Sequence, residues 1–92
     1  MIVSAQIRAA RAMIRWSAED LAHHAHVPLA SIRRAEAVDG APPIAEDEIT
    51  NVRQALERAG VLFLDPHMEG PGVRLRRWWV TLNYAMLWSF GR

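Results

Sequence analysis

The chain has 92 residues, 51% of them hydrophobic, a length that supports one modest core in a single small protein. It has no Cys, which excludes disulfides and thiol chemistry and leaves no argument for an oxidising compartment. All eleven basic side chains are Arg, set against ten acidic ones, so the net charge of +1 provides no long-range positive field and any surface for a polyanion has to be a local patch.

The opening stretch, MIVSAQIRAARAMIRWSAED, has no continuous apolar run before a small-residue cleavage site, so a signal peptide is not expected and the cytoplasm is the expected location. From Ser4 to Ile14 the apolar residues Ile7, Ala10 and Ile14 recur at helical spacing, with Arg8, Arg11 and Arg15 between them. This predicts a first helix. Ser17 followed by Ala18, Glu19 and Asp20 is an N-cap with acids where the helix dipole favours them, and Leu21, Ala22 and Ala25 supply an apolar face, predicting a second helix over 18–25. Pro28 suits a first turn, because its missing N–H would have no partner there, so a third helix is predicted to start at Pro28 or Leu29 and end near Val38, before the turn-rich DGAPP. A fourth is predicted in EDEITNVRQALERAG, with Ile49, Val52, Leu56 and Ala59 on one stripe and Gly60 as its C-terminal cap.

After Gly60 the pattern shortens. VLFL and the alternating Val73, Arg74, Leu75 and Arg76 predict a hairpin between 61–64 and 73–76. In WWVTLNYAMLWSFGR a period of two places Val80, Leu82, Tyr84, Met86, Trp88 and Phe90 on one side, while helical spacing fits part of it, so strand and helix both stay open for this apolar tail.

Three histidines in four positions, His23, His24 and His26, invite a zinc reading. Zinc sites usually draw four ligands offered as two pairs, and the chain has no Cys and one further His, His67, far along the sequence. The first two fall on the outer side of the second helix and the third in the turn after it, so no metal is expected.

The second and third helices, joined at His26 and Val27, have helix-turn-helix spacing: small Ala22 allows close crossing, and Leu21, Val27 and Ile32 can plug the angle between them. On WSAEDLAHHAHVPLASIRRAE, with an Arg-bearing helix before it and an amphipathic helix after, the chain resembles the Xre or lambda-repressor-like family of bacterial and phage transcriptional regulators. The resemblance covers roughly the first sixty residues. The family commonly has Gln where Ala18 stands, Gly where His26 stands and a Ser or Thr cap where Pro28 stands. It implies a structural ion pair between the first and third helices at Arg11 and Glu36, and a backbone clamp on DNA that here falls to Ser17.

With Ile32, Ala35 and Glu36 turned to the core, helical rotation puts Ala30, Arg34 and Ala37 on the opposite face, flanked by Ser31 and Arg33. That face is what a recognition helix lays in the major groove, where Arg pairs with guanine and small side chains meet a thymine methyl. The expected DNA-binding residues are Ser17, Leu29, Ala30, Ser31, Arg33 and Arg34. Asp39 and the cluster Glu46, Asp47 and Glu48 lie where relatives often touch phosphate, and would weaken binding unless they point away.

The expected architecture is therefore mainly α: a four-helix, lambda-repressor-like helix-turn-helix domain over 1–60, then a short β-hairpin and a Trp-rich segment over 61–92. Trp78, Trp79, Val80, Leu82, Tyr84, Trp88 and Phe90 are too apolar to leave in water and are expected to dimerise the protein, with no membrane involved. No nucleophile–base set or phosphate-cradling loop points to an enzyme, and no cofactor is expected. The expected function is transcriptional regulation by a homodimer on double-stranded DNA at a near-palindromic operator, with half-sites about 34 Å apart. A protein-interaction module such as an antitoxin or anti-activator, capturing a protein partner with the tail, is the alternative.

Overall fold

The computed structural model describes residues 2–64 and 70–76. Within them the chain is mainly helical, with α1 (Ser4–Met13), α2 (Ala18–Ala25), α3 (Leu29–Glu36) and α4 (Glu46–Arg58) followed by an antiparallel pair, β1 (Val61–Leu64) and β2 (Gly72–Leu75). Each predicted element between 4 and 76 is present. Among the described residues no helix is long and apolar enough to cross a membrane.

The helix ends follow from local chemistry. At the start of α2, Ser17 Oγ accepts from the Asp20 N–H at 3.0 Å while the Ser17 N–H donates to Asp20 Oδ2 at 2.9 Å, a reciprocal cap that satisfies two otherwise unpaired donors. At its end His26 is left-handed (φ 56°, ψ 44°); its N–H donates to the His23 carbonyl and that of Val27 to the Ala22 carbonyl, the paired closure of a Schellman turn. The end of α1 repeats the arrangement with Arg15 at φ 61°, the Arg15 N–H donating to the Ala12 carbonyl and the Trp16 N–H to that of Arg11. Neither residue is Gly, so each turn carries a steric cost of about 1 kcal/mol.

The core lies where the four helices and the hairpin meet. Ile7, Ala10 and Ile14 enter from α1, Leu21, Ala22 and Ala25 from α2, Ile32 and Ala35 from α3, and Val52, Ala55, Leu56 and Ala59 from α4 and its cap. Leu21, Ile32, Val52 and Leu56 are fully buried; each contributes roughly 1.5 to 3 kcal/mol relative to exposure. The hairpin registers Val61 on Leu75 and Phe63 on Val73, and these four side chains pack against the helices, while Arg74 is exposed. Gly60, at φ 103°, makes the turn from α4 into β1.

Two boundaries differ from expectation. Helix α3 stops at Glu36 rather than near Val38, and Arg8 Nη1 donates to the Glu36 and Val38 carbonyls at 2.6 and 3.0 Å, satisfying acceptors that the helix end leaves open. Strand β2 begins at Gly72 rather than Val73, since Gly72 pairs with Leu64. Both Leu64 and Gly72 carbonyls, moreover, accept from Gln6 Nε2, at 3.1 and 2.9 Å. Arg76 falls outside the strand, yet its N–H still donates to the Gly60 carbonyl at 2.7 Å. The tail with Trp78, Trp79, Val80, Leu82, Tyr84, Trp88 and Phe90, and also His67, lies outside the described residues.

Candidate functional site

Helices α2 and α3 are joined by the left-handed turn at His26, and Pro28, in extended backbone (φ −57°, ψ 142°), directs the chain into α3 with its carbonyl accepting from Ser31 and Ile32. Val27 is buried beside the joint at 4% exposure and Ala22 at 8%, so the two helices meet through a small and a branched side chain. The inner side of α3 is Ile32 and Ala35, both buried; Ala30, Arg33, Arg34 and Ala37 are exposed on the other side. Of the residues expected to meet DNA, Ala30, Arg33 and Arg34 therefore share one accessible face, and Ser17 is exposed at the N-terminus of α2. Leu29 is half-buried and packed on the core.

Ser31 is the correction. It was expected to flank the outward face, yet it is buried at 3% exposure because it lies under the first turn of α4, where its hydroxyl donates to Glu48 Oε2 at 3.1 Å. Ser31 Oγ in turn accepts from Arg34 Nη2 at 3.2 Å. Ser31 thus supports the face from beneath. The other arginine meets an acid, Arg33 Nη2 lying 3.7 Å from Glu19 Oε2, but both side chains are 64% exposed and the pair is weak. Of the cluster at the start of α4, Glu48 turns inward to Ser31 while Glu46 and Asp47 are exposed.

The C-terminal end of α3 is fixed differently. Arg11 Nε and Nη2 each donate at 2.8 Å to the two oxygens of Glu36, and Arg11 Nη1 donates to the Trp16 carbonyl at 2.9 Å. Such a forked pair is stronger than a single contact, and the Glu36 side chain is only 11% exposed. The hydrogen bond to Glu36, opposed by partial desolvation, raises the Arg11 pKa above its ordinary value. A raised pKa means that its contribution is complete below the ordinary Arg value and is lost only as pH climbs beyond it, so the guanidinium does not titrate near neutrality. Arg8 adds the carbonyl bonds described above and a 3.4 Å contact to exposed Asp39, which turns that acid toward α1.

The histidines do not converge. His23 is exposed and meets His24 edge-on, with centroids 5.6 Å apart, and His26 is spent on the turn. His24 departs from the solvated position expected for it: its ring stacks on the buried Trp16 at 4.2 Å with the planes 6° apart. No group of three or more His, Asp or Glu is gathered for a metal among the described residues. A groove of about 690 Å³ runs along α4 over Ile2, Pro42, Ile49 and Arg53, and none of the residues expected to meet DNA lines it.

Sequence reasoning missed Gln6, Arg8, the Trp16–His24 stack and the Ser31–Glu48 bond. Gln6 had a signal: a polar residue four positions before Ala10, on the apolar stripe of α1, needs buried partners, and it finds strand carbonyls. The others join residues 8 to 30 positions apart and leave no periodic trace. No family model, curated protein or solved structure matches the chain.

Proposed function

We propose that this chain is a helix-turn-helix regulator of the lambda-repressor-like kind, cytoplasmic and without catalytic activity, that binds double-stranded DNA as a homodimer. The observation that carries the reading is the presentation of α3. Its outward face offers Ala30, Arg33 and Arg34 to solvent, while the forked Arg11–Glu36 pair and the Arg8 carbonyl bonds fix its C-terminal end to α1. A helix held in this way can be laid in a major groove without losing its angle, with Arg34 directed at base edges, Arg33 at the backbone and the N-terminus of α2, capped by Ser17, near phosphate. Operator occupancy by two such helices, one per half-site, is the proposed mechanism, with the Trp-rich segment supplying the dimer contact.

A second reading has its own support: both arginines of the face are already engaged, Arg33 by the Glu19 carboxylate and Arg34 by the Ser31 hydroxyl. A weakly positive face suits a protein partner as well as a polyanion, and the antitoxin or anti-activator alternative uses it so. Gel shift of the DNA upstream of its own gene, at about 50 mM and about 200 mM salt, separates the two. A specific complex that weakens steeply with salt supports the regulator; no complex at the lower salt favours the protein-interaction module.

A further inference from the structure

Arg34 is exposed on a helix surface, where a long side chain normally keeps most of its rotamer freedom. Here it is tethered. Its Nη2 donates to the Ser31 hydroxyl, and that hydroxyl, having a single proton, gives it to Glu48. The direction of this chain is set by the carboxylate. A serine within a helix otherwise turns its proton back to a carbonyl of the preceding turn, which swings its lone pairs away from Arg34. Glu48 is itself held at both oxygens, Oε1 accepting from the Ala45 N–H at 3.4 Å at the N-terminus of α4 while Oε2 takes Ser31. An anion is favoured at that end of a helix.

We infer that Glu48, acting through Ser31, is a positioning residue for Arg34 and thereby a determinant of which DNA sequence the α3 face accepts; this rests on the DNA-reading function proposed above. A tethered guanidinium meets one base position in one orientation, whereas a free one reaches any nearby phosphate and gains affinity for every sequence alike. Glu48 therefore lowers total affinity and raises discrimination. This gives the acid at the edge of the face a role other than repulsion.

The test compares binding to the duplex upstream of the gene with binding to a shuffled duplex of equal length and composition. The variants are Glu48→Gln, Ser31→Ala, the double variant and Glu46→Gln, which removes an exposed charge from the same turn without touching Ser31. The ratio of the two affinities is expected to fall about fivefold or more in each of the first two, the lower end of what a well-placed base contact discriminates. The double variant should fall no further than the singles. Glu46→Gln should strengthen binding to both duplexes and leave the ratio alone. Independently of DNA, ¹⁵N relaxation of the Arg34 Nε–H should show lower order in Glu48→Gln than in wild type or Glu46→Gln, a change that a purely structural role would not produce. Unaltered Arg34 order, an unaltered ratio, or losses that add in the double variant overturn the inference while the DNA-reading function stands. A wild-type protein with no preference for the upstream duplex removes both together.

Discussion

At the C-terminal end of α3, Arg11 grips both oxygens of a Glu36 side chain that is 11% exposed, and Arg8 closes the last carbonyls. On the outward face of the same helix, Arg33 and its partner Glu19 are each 64% exposed, and Arg34 is held by one neutral hydroxyl. Both use Arg, and burial separates them. The forked, half-dry pair sets where the helix points, because breaking it leaves a carboxylate in a poor solvent; the contacts of the face set where side chains rest, and the wet Arg33–Glu19 pair can be exchanged for a ligand at little cost.

The largest effect is expected where the fixed end is broken. Arg11→Ala should destabilise the protein by about 2 to 3 kcal/mol, since it strands the Glu36 carboxylate and the Trp16 carbonyl together, and urea unfolding measures it. A loss below about 0.5 kcal/mol would show that the fixed end and the outward face of α3 are held alike. Arg34→Ala should behave in the opposite way, weakening operator binding by about 1 to 3 kcal/mol and relaxing preference at one base pair while leaving the urea midpoint in place. Unchanged operator affinity would remove Arg34 from the reading face.

Ser17→Ala tests a contact of intermediate size. Loss of the reciprocal cap with Asp20 should cost about 1 kcal/mol of stability, seen in the same unfolding curves, and a neutral result would mean that Asp20 holds the end of α2 without it. His26→Gly should stabilise by about 0.5 kcal/mol, because glycine accepts φ 56° without strain but gives part of the gain back as unfolded-chain entropy. Thermal melting checks the sign, and a lowered midpoint would show that the imidazole makes a favourable contact. Arg33→Ala should move stability least, by less than about 0.5 kcal/mol, while lowering the salt slope of DNA binding by about one. A stability loss comparable to that of Arg11→Ala would erase the contrast between the fixed end and the outward face.

Much of the fold was legible because local rules agree in this chain. Ser17 with Asp20, Pro28 after Val27, and Gly60 after Arg58 mark helix ends by chemistry that acts within a few residues, and the stripes of α1 and α4 repeat at helical spacing over enough turns to be read. The outward placement of Ala30, Arg34 and Ala37, with Arg33 on the flank, came from rotation about the helix axis alone. Ser31 resisted the same reasoning, since rotation describes α3 as an isolated cylinder and cannot say that the Glu48 side chain of α4 reaches it. The Arg11–Glu36 pair was expected from family resemblance rather than from spacing, and its forked geometry is present.

By itself the sequence determined what short-range forces determine: the four helices and two strands of the described residues and most of their apolar faces, set by dihedral preference, capping and the period of apolar residues. Tertiary structure alone decided that Arg8 closes the carbonyls at the end of α3, that Gln6 bridges the loop end of the hairpin, that Trp16 and His24 stack, and that Arg34 is tied to Glu48 through Ser31. Each of these joins groups that are distant in sequence and leave no periodic mark, and their partners are chosen by which elements the core brings together.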